Sequence, residues 1–175
     1  MTYRAYEDTV FTRLSTVRPA AIIALMNKPR VRKHLPLARG HFGPTECREF
    51  LVAKERLWQD FGYGPWGFLL DEEFIGWGGV QREGQDADVG LVLHPRHWGA
   101  GRTLITQSIA YAFGELGLDS VTTLLPPSRT RVTAILRLGF GPDGKTSVNG
   151  THFNRYRLDR TAYLNRVAST PDPPD

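Results

Sequence analysis

The chain is poor in the features that announce specialised classes of protein. It has one cysteine in 175 residues, Cys47. An internal disulfide is therefore impossible, and a cysteine-built metal cluster is excluded. No stretch approaches the ~20 apolar residues that a membrane-spanning helix needs. Between Met1 and Arg13 the sequence places Glu7 and Asp8 where a signal peptide requires an apolar run. Export by that route is not expected, and a reducing, cytoplasmic setting is. Internal repeats are lacking. So are the Gly-Lys-Ser/Thr of a phosphate-binding P-loop and the three-glycine dinucleotide fingerprint.

What remains is an ordinary globular composition, 41% hydrophobic and 23% charged. The length suits one domain with one sizeable core. That domain is expected over residues 1–166, with a polar, proline-rich tail over 167–175 too weakly apolar to pack. The net charge of +4 is too mild to argue for nucleic acid. Its distribution is uneven: 11 Lys and Arg against 6 Asp and Glu in residues 1–60, 1 against 6 in residues 61–94, and 10 against 6 in residues 95–175. Chance and solvated faces account for such a pattern as readily as a binding role does.

Hydropathy and turn signals give an α+β order. A first strand is read over residues 9–15. Ser15 or Thr16 then caps a helix with Pro19 in its first turn. The basic group Lys28, Arg30, Arg32 and Lys33 reads as a solvated edge. A second helix opens at Gly43-Pro44-Thr45, with Phe50, Leu51, Leu57, Trp58 and Phe61 on one face, and closes at Gly62 and Gly64. Cys47 falls inside it as a structural thiol. Three strands follow, residues 65–70, 74–81 and 88–93, as an antiparallel meander. Gly76, Gly78 and Gly79 mark a bulge or close backbone approach. A helix from about Ala100 to Gly117, a strand over 121–125, a helix from Ser128 to Leu138 and a last strand over 152–158 complete the chain.

The segment Val89 to Thr103 carries the chemistry. A strand ends at Leu93, a loop holds Arg96, Gly99 and Gly101, and a helix begins. The first N–H groups of a helix lack internal partners, and the helix dipole adds positive charge there. Glycines let an anion approach the backbone, and Arg96 and Arg102 flank the loop. A plain tight turn would look much the same.

Arg96-His97-Trp98-Gly99-Ala100-Gly101, set between strand and helix, resembles the acetyl-CoA loop of the GNAT N-acetyltransferases. The later Leu138-Gly139-Phe140 fits that context. The wording Leu93-His94-Pro95-Arg96-His97-Trp98-Gly99-Ala100-Gly101 is similar to the RimJ/RimL-type branch, as are Asn27-Lys28-Pro29 with His34-Leu35-Pro36, and Gly62 to Trp66. The likeness covers about residues 8–160. It implies a mixed, mostly antiparallel sheet whose fourth and fifth strands splay, flanked by helices. The proline pair 126–127 gives that splay a reason of its own, since neither has an N–H to continue a ladder. Leu91, Val92 and Leu93 would then offer backbone groups to the cofactor's amides. Arg96, His97, Trp98, Gly99, Ala100, Gly101, Arg102 and Thr103 would cradle its phosphates, with N–H groups of Trp98, Gly99, Gly101 and Arg102 as donors.

The resemblance further implies N-acetyl transfer from acetyl-CoA to a primary amine by direct attack in a ternary complex, without a metal. The acceptor would be a protein N-terminus or a small-molecule amine; neither nucleic acid nor a membrane is an expected partner, and a homodimer is compatible. Where RimL-like chains commonly carry Asn-x-x-Ser, this one has Ser128 and Arg131. Ser128 is a candidate for cofactor contact and catalysis. Arg131 cannot donate a proton in the ordinary way, but it can stabilise a leaving thiolate or bind a phosphate or carboxylate. Asp88 is the candidate base for the acceptor amine, with Glu83 a poorer one. Asp86 shares the parity of Asp88. The acidic stretch would favour a cationic acceptor. His94-x-x-His97 lacks a third ligand and is not read as a metal site. Trp66 and Tyr63 are read as core residues near the acceptor groove. The rival expectation is an acyl-CoA-binding module without catalysis.

Overall fold

The computed structural model describes residues 6–130 and 132–169. Seven strands form one sheet in the order β1-β2-β3-β4-β5-β7-β6. They are β1 Val10–Arg13, β2 Trp66–Leu70, β3 Glu73–Glu83, β4 Asp86–Leu93, β5 Ser120–Leu125, β6 Gly141–Val148 and β7 Thr151–Asp159. Every pairing is antiparallel except β4 with β5. The helices are α1 Pro19–Met26, α2 Pro29–Arg32, α3 Pro44–Phe61, α4 Gly101–Gly114, α5 Thr133–Arg137 and α6 Arg160–Ser169. The mixed α+β architecture and the splayed fourth and fifth strands are as the sequence implied.

Helices cover both faces of the sheet. On one face Ile105, Ile109, Ala112 and Phe113 of α4 pack onto Val80, Val89, Val121 and Leu158. Burial of each such side chain stabilises the fold by roughly 1.5–3 kcal/mol. On the other face α1 and α3 close over Val17, Ile22, Met26 and Cys47, with Phe50, Trp77 and Val92 at the margin. Cys47 is a buried free thiol, as expected of a structural residue. The strands therefore point alternate residues at two different covers: Ala87 and Val89 towards α4, Asp88, Gly90 and Val92 the opposite way.

Several boundaries differ from the sequence reading. Ser15 and Thr16 belong to a short 3-10 turn over Leu14–Thr16, and Arg18 occupies the N-cap of α1. The helix expected from Ser128 begins only at Thr133, because Arg129 N–H bonds back to the Pro126 carbonyl and holds 126–129 as a turn. Strand β6 was not foreseen. Neither was α6, which carries Val167 to Ser169 as helix, past the point where the tail was expected to start. Residues 170–175 lie outside the described residues.

The glycines of β3 explain how closely β3 lies against β4. A Cβ placed on Gly78, whose φ is +150°, would stand 2.2 Å from the Gly90 carbonyl oxygen. That oxygen is backbone and cannot swing away. Gly78→Ala should therefore lower stability in urea titrations by about 2–4 kcal/mol, combining backbone strain with overpacking. A change below about 0.5 kcal/mol would show that β3 can shift without cost.

Candidate functional site

Strands β4 and β5 touch in register at a single pair, Asp88 with Thr122. Thr122 Oγ1 adds one long contact to the Ala87 carbonyl, 3.5 Å. Past that point β5 pairs only with β7, and Pro126 ends the strand. The edge of β4 beyond Asp88 thus faces a gap. Its hydrogen-bond phase is fixed at the far end, where His94 N–H donates to the Ile75 carbonyl at 2.8 Å. Alternation then turns the backbone groups of Leu91 and Leu93 to the gap and those of Val92 to β3. The close approach of a Gly76 Cβ to the Val92 carbonyl, 2.4 Å, agrees with that phase. Val92 consequently does not present its main chain to the gap as expected. The Leu93 carbonyl already accepts from a neighbour, the Trp98 indole N–H, at 3.1 Å.

The glycine loop is tightly wound. Pro95–Ala100 forms a 3-10 helix with a kink at His97, running straight into α4. His94 Nδ1 accepts the Arg96 N–H at 3.2 Å. The Gly101 N–H returns to the Trp98 carbonyl. With the His97 N–H on the His94 carbonyl at 2.8 Å, three loop N–H groups are already committed, including one of the expected phosphate donors. Ala100 is fully buried against Leu93 and Leu104, so it anchors the loop and offers no side chain to a ligand. Arg96 reaches Glu73 across the surface at 3.4 Å, an exposed pair worth little. Arg102 and Thr103 line a hollow of about 290 Å³ with Glu7, Thr106 and Gln107. The His94 and His97 rings lie 6.1 Å apart. Burial and the neighbouring cations Lys28 and Arg96 push the His94 imidazole below its ordinary pKa.

Gly99 and Gly101 satisfy a test of fit for a phosphate-bearing cofactor. A Cβ on Gly101 would meet only Leu93 Cδ1 at 4.0 Å, and one on Gly99 only the Tyr6 ring at 3.8 Å. Gly101 has ordinary helical angles, φ −53° and ψ −43°. The fold itself does not require glycine at either position, and glycine at a helix start weakens the helix. An approaching ligand supplies the missing reason.

Asp88 stands at the vertex of the gap. Its Oδ1 is buried and has no hydrogen-bond partner among the described residues. Burial, first, and the charge of Glu83, second, raise its pKa well above the ordinary carboxylate value, while the Leu124 N–H and Lys54 pull the other way. Asp86, two residues earlier on the same face, is not available in the same sense. Arg157 donates to its Oδ1 at 2.8 Å and Arg155 to its Oδ2 at 3.3 Å. Both arginines also hold Asp143 of β6, and Arg157 reaches Ser120 Oγ at 2.7 Å. This network binds β4, β5, β6 and β7 at the closed end.

Facing Asp88 from α3 is Lys54, whose Nζ donates to Gln81 Oε1 at 2.7 Å. Phe50 and Trp77 flank it. Sequence reasoning took Phe50 and Trp77 for core aromatics and did not pick out Lys54 or Gln81. Tyr63 and Trp66 instead pack on the α4 side, Trp66 against Trp58 and Tyr111. Ser128 is exposed in its turn, away from any helix start. Arg131 lies outside the described residues.

A parallel pair that parts at one residue, followed by a glycine turn into a helix, is the architecture of the GNAT fold. The family model described as "Acetyltransferase (GNAT) domain" matches residues 13–140. The chain belongs to the GNAT acetyltransferase family. Among solved structures it is similar to the spermidine N-acetyltransferase of Vibrio cholerae in complex with CoA and spermine, with 19% identity and a TM-score of 0.71 over 90% of this chain and 98% of that one. It is likewise similar to an acetyltransferase from Agrobacterium tumefaciens, with 20% identity and a TM-score of 0.67 over 87% and 91%. A GNAT-family acetyltransferase of Bacillus anthracis gives 15% identity and a TM-score of 0.68 over 89% and 97%. No curated protein matches the chain. Among the described residues, no helix is long and apolar enough to cross a membrane.

The raised pKa of Asp88 has a thermodynamic sign. A carboxyl that binds its proton more tightly folded than unfolded stabilises the fold at low pH and loses that contribution as pH climbs through the folded pKa. Asp88→Asn keeps an acceptor for the Leu124 N–H and removes the buried charge. Its Tm should exceed that of wild type at pH 8, and the difference should shrink on acidification towards pH 4. An equal shift at both pH values would contradict the assignment.

Proposed function

We propose that this chain is an N-acetyltransferase that moves an acetyl group from acetyl-CoA to a primary amine, with Asp88 as the general base. The buried Asp88 Oδ1, unpartnered among the described residues at the point where β4 and β5 part, carries the reading. Acetyl-CoA supplies an activated acyl thioester. The gap-facing backbone of Leu91 and the Leu93 N–H would hold its amides, and the Gly99–Gly101 turn with Arg102 and Thr103 its phosphates. Ser128 and Arg131 are offered for cofactor contact and for the negative charge on the departing sulfur. The likeness to the RimJ/RimL-type branch rests on the wording of residues 93–101.

The chain's own part is proton management. An alkylamine with a pKa near 10.4 is almost wholly protonated at neutral pH, and an α-amine near 7.7–8.0 much less so. The amine must lose a proton to become a nucleophile, and a base works best when its pKa lies near the working pH. Burial moves Asp88 in that direction. Its Oδ1 has no partner among the described residues, so it is ready to accept. Asp86 cannot compete while two guanidiniums hold it.

Two measurements test this. In a thiol-release assay across an amine panel, Asp88→Asn should lower kcat about 10²- to 10⁴-fold and remove the acidic limb of the pH profile. CoA binding by calorimetry should be unchanged in that variant. Gly101→Val should do the reverse, weakening CoA at least about tenfold by filling the cradle. CoA binding without thiol release for any amine would favour the non-catalytic module.

A further inference from the structure

The proposed reaction needs one amine beside Asp88. The same face already holds another, and it belongs to the chain. Lys54 Nζ lies 5.2 Å from the Trp77 ring centre and 5.5 Å from that of Phe50. It donates to Gln81 Oε1 at 2.7 Å. Burial lowers its pKa, and the nearby charges of Glu83 and Asp88 offset part of that cost. Among the described residues it makes no ion pair within 4.0 Å. Aromatic faces, an amide oxygen and a nearby acidic field are the means by which proteins bind an ammonium group.

The position matters as much as the chemistry. Gln81 and Asp88 are cross-strand partners on β3 and β4. Such partners place their Cβ atoms about 4.5–5.5 Å apart on one face. A short aliphatic diamine with one nitrogen at Asp88 would bring its other nitrogen to Gln81. There it meets the ammonium of Lys54.

We propose that Phe50, Trp77 and Gln81 form a seat for a second cationic group of the acceptor, that Lys54 fills this seat from within, and that the chain therefore selects acceptors with a single amine over diamines and polyamines. The choice of acceptor rests on the N-acetyl transfer reading, whereas the occupied seat is a binding property and can be measured without turnover. Like charges at such range disfavour the dication, and the aromatic faces that would reward it are already covered.

The test compares butylamine with 1,4-diaminobutane by calorimetric titration, in the presence of CoA. The proteins are wild type, Lys54→Ala, Lys54→Gln and Lys54→Arg. Wild type should bind the diamine no tighter than the monoamine. Lys54→Ala opens the seat and should bind the diamine about tenfold tighter than wild type does, with butylamine changed less than twofold. Lys54→Gln removes the charge while keeping most of the stem, so it gives the same direction should the alanine variant fold poorly. Lys54→Arg should restore the wild-type preference. Diamine affinity that rises in neither neutral variant, or a wild type that already prefers the diamine, overturns the proposal. Thiol release is followed separately. Its absence with every amine would reject acetyl transfer, and the binding comparison would still decide the seat.

Discussion

The structure turns on one residue pair. Asp88 and Thr122 are where a parallel ladder starts and stops. A parallel pair would ordinarily gain from every further rung. Here β5 keeps its antiparallel partner β7 from Ser120 to Leu125, and β4 keeps β3. Each strand is satisfied on one edge, and the edges facing each other are left with donors and acceptors for a third party. The Asp88 side chain enforces this by sitting in the vertex, where the Leu124 N–H bears on it. A carboxylate in that place is costly to the fold and useful to a proton transfer, so one feature makes both the opening and its reactivity.

The closed end must be strong for the open end to stay open. Arg155 and Arg157 tie Asp86 and Asp143 into a four-charge network across β4, β6 and β7, and Arg157 adds Ser120 of β5. The guanidiniums are about three-quarters covered, and Asp86 in turn raises the pKa of Arg157 further. Partly buried arginines that each bridge two carboxylates are worth more than surface pairs. They also sort the acidic residues of β4. Asp86 and Asp88 share a face, and only the second is left without a cationic partner at contact distance.

Much of this was legible in the residues, and the gaps have physical causes. The glycine turn and its flanking strand and helix are local signals, and so is the halt at the proline pair. The meander showed itself through alternation and polar turns. Strand β6 did not, because Gly141, Pro142, Asp143 and Gly144 read as loop. The signal that would have found it is Asn149-Gly150, whose φ values of +48° and +78° make the two-residue turn that joins β6 to β7. Helix α6 was lost to its polar surface; tertiary contacts fix it, with the Tyr163 ring 5.0 Å from that of Phe113, the Arg160 N–H on the Asp119 carbonyl and the Arg166 guanidinium on the Arg137 carbonyl. The helix start at Thr133, rather than Ser128, depends on the local turn that the Arg129 N–H closes on the Pro126 carbonyl, which the capping signal at Ser128 masked. Lys54 was invisible for a different reason. On α3 it reads as a solvated lysine, and only the fold brings Gln81, Trp77 and Phe50 around it.

The glycine turn has a mechanical consequence. Gly99 and Gly101 have slack around them, yet Ala100 between them is sunk into the packing of Phe68, Ile75 and Leu104. A segment pinned at its middle, with open space where flanking side chains would stand, acts as a fixed ledge and not as a flap. A load placed on it passes through Ala100 into the hydrophobic interior instead of being absorbed by a solvent-exposed loop.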